Sequence, residues 1–214
     1  DPLKDFSAVS LVGTAPSLLA THPSVAVKSV KDLIDLAKAK PGQLNFASAG
    51  IGTPPHLAGE LFKSMTGVNM VHIPYQGGGP ALTELLAGQV GIYFSGISSV
   101  LPFVKEGRLR GIAVTSARRT AVMPDMPTVA ESGLPGYEVG NWYAIVAPAA
   151  TPKSIITRLN SEIVKALAVP EIKKRFLDLA ADAVSSTPEE LLKYNRSELD
   201  KWAKVIKSAG IKPE

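Results

Sequence analysis

At 214 residues, with 45% hydrophobic and 20% charged side chains, the chain can bury one large core or two modest ones, which excludes disorder as a description of the whole. The complete lack of cysteine removes disulfides, thiolate nucleophiles and sulfur-ligated metals, and leaves the cellular compartment open. The formal charge of +4 is spread among nearly as many acids. Its densest basic stretch, Arg108, Arg110, Arg118 and Arg119, lacks the interleaved aromatics that stack on bases, so no nucleic-acid partner is expected.

In chain order, the opening Asp1-Pro2-Leu3-Lys4 carries neither a basic n-region nor an apolar h-region, so no export signal is part of these residues. No apolar run approaches the roughly 18 to 20 residues needed for a membrane-spanning helix. From Leu11 to Thr115 short apolar runs, glycine or proline breaks and helical periodicity alternate, which predicts an α/β unit with a mainly parallel sheet. Its strands are predicted at 18–22, 44–48, 70–75, 90–94 and 111–115. After the first, Ser29-Val30-Lys31-Asp32 resembles a capping box, Leu33, Ile34, Leu36 and Ala37 form an apolar face, and Pro41-Gly42 stops the helix.

Two loops carry the strongest chemical signal. The first is Ser48-Ala49-Gly50-Ile51-Gly52-Thr53-Pro54-Pro55-His56, with Thr53 the expected N-cap and Pro54 the first helical residue. The second is Tyr75-Gln76-Gly77-Gly78-Gly79-Pro80, with Gly79 expected to cap and Pro80 to start the helix. A helix start leaves backbone N–H groups without internal partners and carries partial positive charge, while glycine lets a ligand reach the backbone. Such loops beyond neighbouring parallel strands can grip one carboxylate from two sides. Neither matches a P-loop or a dinucleotide fingerprint, so no nucleotide cofactor is expected.

Ser95-Gly96 closes the strand at 90–94, where Ser95 is expected to offer a hydroxyl to the same crevice, although an ordinary turn explains the pair nearly as well. Ser48 and His56 could be paired as nucleophile and base, which is the hydrolase or transferase alternative. Ser48, however, lacks a G-x-S-x-G elbow, and no carboxylate near either loop orients the histidine, so no catalytic residue is assigned. His22, His56 and His72 have no metal-ligand spacing, and no metal is expected. Proline and glycine crowd residues 123–137, the composition of a surface or inter-lobe connection. Beyond it lies a buried strand at 143–147. Helices follow with start signals at Thr151-Pro152 and Thr187-Pro188-Glu189-Glu190. The last helix carries a packing stripe of Leu191, Leu192, Tyr194, Leu199, Trp202, Val205 and Ile206 before Gly210.

These segments together resemble the Bug receptors, the periplasmic solute-binding proteins of tripartite tricarboxylate transporters. The resemblance rests on Asp1-Pro2-Leu3-Lys4-Asp5-Phe6, residues 45–56, Pro74-Tyr75-Gln76-Gly77-Gly78-Gly79-Pro80-Ala81, Ala113-Val114-Thr115-Ser116 and residues 127–138, and covers essentially the whole chain. It implies a type II periplasmic-binding-protein-like fold of two lobes that close on a small carboxylate held by backbone groups and water. It further implies delivery of that solute to membrane transporter subunits, with no chemical turnover and no cofactor. Ser48, Ala49, Gly50, Gly52, Thr53, His56, Tyr75, Gly77, Gly78, Gly79 and Ser95 are the implied ligand-binding residues. Residues 17–135 would form the complete ligand-binding lobe, with 1–16 and 136–214 as the remaining part of the other.

Family members begin with a further strand and a proline- and glycine-rich loop, so the chain is expected to be N-terminally truncated, with one lobe incomplete. Apolar surface left uncovered there would favour self-association. Ser95 stands where many relatives carry aspartate, and a neutral side chain suits an anionic solute better than an amino acid. A small-molecule-sensing regulatory domain shares the same design and is the second reading.

Overall fold

A computed structural model describes residues 1–211 of the chain. The backbone forms two units, one made of residues 1–15 and 141–204, the other of residues 16–140 together with the chain from Val205.

The unit built on 16–140 follows the predicted alternation after its first strand. Its elements are the second half of β1 (Phe6–Thr21), α1 (Val30–Ala39), β2 (Asn45–Ser48), α2 (Pro54–Thr66), β3 (Val71–Pro74), α3 (Gly78–Leu86), β4 (Ile92–Gly96), α4 (Ile97–Lys105) and β5 (Arg110–Val114). The sheet order is β3-β2-β4-β1-β5. β2 runs parallel to β3 and β4, whereas β1 is antiparallel to β4 and β5. The sheet is therefore mixed, with β1 alone reversed among these five strands. The expected mainly parallel sheet is present, but the short leading strand expected at 18–22 needs correction. β1 is 16 residues long and begins well before residue 18.

Leu18, Leu19, Ala20, Phe46, Ala47, Ile92, Phe94, Ala113 and Val114 are wholly buried along the centre of this sheet. Strands covered on both faces read as continuous apolar runs, which is why they were visible without an alternating pattern.

The start of α1 is a formed capping box: Ser29 Oγ accepts from Asp32 N–H (3.1 Å), and Asp32 Oδ2 accepts from Lys28 N–H (2.9 Å). α2 lies on β2 through Gly59, where a Cβ would overlap the Phe46 ring. The stretch at 123–137 is more than a surface connection. Val129 and Tyr137 are fully buried, Thr128 bridges to Val114, and the Tyr137 hydroxyl donates to Ala58 O at 2.9 Å. These anchors carry the unit on to Gly140, five residues beyond the break suggested by Pro135. The basic stretch is likewise structural, because Arg110 donates to Val25 O and Val27 O, while Arg119 pairs with Glu131.

In the other unit, the first half of β1 pairs with β6 (Gly140–Pro148). Thr14 exchanges two backbone hydrogen bonds with Asp182, at 3.0 and 2.8 Å, and Ser10 is tied to Ser186. Its helices are α5 (Lys153–Ala168), α6 (Pro170–Asp178) and most of α7 (Pro188–Ala209). α6 is set off from α5 by Val169, held extended before Pro170. Thr187 and Glu190 form a reciprocal capping box at α7, as their spacing predicts. The α7 stripe is only partly a packing face. Leu191 is buried, but Leu199 and Ile206 are exposed, and Glu198 is buried instead, bonded to Lys201 and to Trp202 Nε1. The strand expected to be buried at 143–147 is instead open: Tyr143, Ile145 and Val146 of β6 are exposed apolar side chains.

Replacing Gly59 by alanine is expected to destabilise the fold by about 1–3 kcal/mol through overpacking against Phe46. Urea unfolding followed by far-UV circular dichroism measures this; a midpoint unchanged from wild type would contradict the close α2–β2 approach.

Candidate ligand-binding site

The three loops leaving β3, β2 and β4 lie side by side because their strands are parallel neighbours, and each loop starts a helix. Backbone hydrogen bonds bind the first two together. Tyr75 N–H donates to Ser48 O (3.0 Å) and Gly77 N–H donates to Ala49 O (3.2 Å). A Cβ on Gly50 would sit 3.6 Å from Tyr75 O, in contact with the neighbouring loop.

α3 begins two residues earlier than expected, with Gly77 as its N-cap at φ 107°. Only glycine adopts that angle without strain, and Pro80 fits in the first turn because its missing N–H would have had no helical partner. The amides of Gly78 and Gly79 then have no intramolecular acceptor among the described residues. Both residues are exposed, and a Cβ on Gly79 would meet nothing within 4 Å. This helix start offers two donors and partial positive charge to an anion.

The first loop is different from its expectation. Gly50 N–H is taken by Ser48 Oγ (3.1 Å) and Gly52 N–H by His56 Nδ1 (3.0 Å). Thr53 precedes Pro54 as predicted, but its hydroxyl donates back to Gly50 O at 2.6 Å and caps nothing. Pro54 and Pro55 have no amide hydrogen to give. The second loop therefore supplies the open glycine donors, and the first supplies a braced wall.

Ser95 is buried opposite Leu18, on the same face of β4 as Tyr93. The Tyr93 oxygen lies 3.4 Å from where a Cβ on Gly78 would stand, so β4 reaches the α3 start through this tyrosine. Burial raises the Tyr93 pKa, against the lowering effect of Ser95, and keeps the phenol a neutral donor. Sequence reasoning passed over Tyr93, although residues two apart on a strand share a face and Ser95 was already singled out. Tyr75 is half-buried on the loop itself, its pKa raised by burial and by Glu84. Gly96 caps α4, which brings the exposed Ser98 and Ser99 into its first turn.

His56 and His72 lie on different elements, α2 and β3, and the fold brings them together. Their rings stack at 3.8 Å with planes 10° apart, and Phe46 lies beside them, 5.0 Å from His72 and 6.5 Å from His56. His72 Nε2 is 2.6 Å from Ser48 Oγ, so the serine's imidazole partner is His72 and not His56. Ser48 is completely buried, and His56 Nδ1 already accepts from Gly52. The Ser48–His56 pair that a hydrolase or transferase would need is not assembled.

Both imidazoles are held neutral. Burial lowers the His72 pKa to about 4, helped by His56 and Lys63. Burial also lowers that of His56, with Lys63 adding to it and Glu60, 3.9 Å from Nε2, opposing it. Because Nδ1 of neutral His56 is an acceptor, its proton resides on Nε2, toward Glu60. Two charged rings at this spacing would repel by about 4 kcal/mol at an effective dielectric of about 20.

Stability should follow from these shifts. Above the ordinary histidine value of 6.5 neither state is protonated and the stack contributes fully. As pH falls from there toward about 4, the unfolded chain takes up protons that the folded chain refuses, and stability drops. Partial exposure of the His72 ring screens the loss between pH 7.5 and 5 to on the order of 1 kcal/mol. Asp32 and Glu131, with lowered pKa values, contribute only at still lower pH. Urea titrations at the two pH values provide the check, and equal unfolding free energies would contradict the neutral stack.

The Tripartite tricarboxylate transporter family receptor model matches residues 1–211. Protein BugT of Bordetella pertussis is 36% identical over 98% of this chain and 64% of its own length. The chain spans 61% to 64% of the length of such curated relatives. Among solved structures, R. palustris Rpa4515, determined with adipate, shares 35% identity with a TM-score of 0.79, covering 100% of this chain and 72% of that protein. MatC from Rhodopseudomonas palustris, with bound malate, shares 31% identity with a TM-score of 0.73 over 96% of this chain and 71% of MatC. The fold is that of the periplasmic solute-binding proteins, and the chain belongs to the tripartite tricarboxylate transporter receptor family.

Proposed function

We propose that this chain captures a small carboxylate in the periplasm and passes it to the membrane subunits of a tripartite tricarboxylate transporter, without transforming it. The observation that carries the reading is the α3 start, where the amides of Gly78 and Gly79 are exposed and without an internal acceptor. Backbone donors of this kind suit a carboxylate oxygen and demand no particular side chain from the solute. Similar receptors solved with adipate and malate support the same ligand class.

In this reading the 16–140 unit is a ligand-binding lobe and the 141–204 unit belongs to the other. Ala49, Gly50, Gly52 and Thr53 form the wall beside the open donors, with Ser48 and His56 bracing it. Tyr75 and Gly77 frame the α3 start, and Ser95 acts through Tyr93. The neutral Ser95 suits a purely anionic solute. Exposed Tyr143, Ile145 and Val146 support self-association of the chain in this form.

Gly79→Ala gives a selective test, since the added methyl meets no protein atom within 4 Å yet intrudes where a ligand would approach the amide. Calorimetric titration with adipate and malate should show affinity reduced about tenfold or more in the variant, equivalent to about 1.4 kcal/mol, at an unchanged melting temperature. Equal affinity in variant and wild type, or no affinity of wild type for any acid in a carboxylate panel, would contradict the reading.

A further inference from the structure

The first loop is short, glycine-rich and bent through unusual angles, with Gly50 at φ 130° and Gly52 at φ 75°. Left alone, such a segment samples many conformations and would have to be ordered each time a ligand arrived. Both of its ends are instead fixed to one side chain outside the loop. At the strand end, Ser48 Oγ bonds His72 Nε2 at 2.6 Å and in turn accepts from Gly50 N–H. At the helix end, His56 lies flat on the His72 ring and accepts from Gly52 N–H. His72 comes from β3, and Phe46 of β2 lies beside the pair, 5.0 Å from the His72 ring and 6.5 Å from the His56 ring.

We infer that His72 is a positioning residue for the ligand site, a staple that holds the 48–56 loop in its ligand-ready shape and releases it when the histidine pair takes up a proton. The inference rests on the receptor reading for its purpose, though not for its mechanics. A protonated His56 Nδ1 cannot accept from Gly52, and a charged ring against its neighbour opposes the stack. α2 presents Glu60 and Lys63, themselves paired at 2.7 Å. β2 presents the uncharged Phe46 and Ser48, and β4 presents the edge of Phe94 toward Phe46. Protonation of His56 would find one carboxylate nearby, but that carboxylate is already engaged by Lys63.

Residue-resolved amide exchange on the ligand-free chain tests the staple directly. Corrected for the intrinsic pH dependence, protection of Gly52 should fall about fivefold or more between about pH 7.5 and 4.5, whereas Leu33 in α1 keeps its protection. His72→Phe, which keeps a ring but no hydrogen bond to Ser48, should lose protection at Gly50 first. His72→Gln, which can keep that hydrogen bond but not the stack, should lose it at Gly52. If one variant fails to fold, the other and the wild-type pH profile still decide the matter. Unchanged protection at both glycines, in wild type across this range and in a folded variant, overturns the staple.

With adipate as probe at pH 7.5, the same variants should bind about tenfold more weakly than wild type; equal affinity also overturns it. Failure of wild type to bind adipate or any other panel acid would count against the receptor reading alone, and the exchange data would still judge the staple.

Discussion

A backbone amide removed from its helical partner must find another acceptor or face solvent, and the architecture of this chain turns on where that requirement is left open. At the starts of α2 and α3 the same problem has two solutions. α2 opens with two prolines and a loop whose glycine amides are satisfied by Ser48 and His56. α3 opens with glycines whose amides have no acceptor among the described residues. Parallel pairing of β2 and β3 puts the two solutions in contact, one rigid and one receptive.

The rigid half depends on desolvation. Burial makes both imidazoles poor bases, and neutrality is what allows their rings to lie 3.8 Å apart. The stack also links three elements, since Phe46 and Ser48 come from β2, His72 from β3 and His56 from α2. Gly59 is part of the same arrangement, because its missing side chain lets α2 settle on Phe46. Local glycine chemistry, aromatic packing and a shifted pKa thus act on one short loop. A receptor that relies on backbone donors benefits from such bracing, because less order remains to be imposed when ligand arrives.

Much of this was legible in the residues. The apolar runs at 44–48, 70–75, 90–94 and 111–115 became β2 to β5, and Ser29 and Thr187 formed the capping boxes their spacing predicts. The first half of β1 was not legible, because Ser7, Ser10, Gly13, Thr14 and Pro16 break any strand pattern and the strand is fixed by partners distant in sequence, such as Asp182 and Ser186. The α3 start was misplaced by two residues because proline drew the boundary, whereas the positive φ of Gly77 sets it. At the site, both loops were found from their glycines and prolines. The His56–His72 stack and the Tyr93–Ser95 pair were missed, since they depend on which strands become neighbours and on which face each side chain emerges.

The proposed role of the α3 start is to receive a carboxylate through its exposed amides. Titration of the isotope-labelled chain with adipate, followed by amide proton chemical shifts, addresses it most directly. Gly78 and Gly79 are expected to show the largest downfield shifts and to gain protection from exchange. Shifts centred on the 141–204 unit, with Gly78 and Gly79 unmoved at saturation, would contradict it.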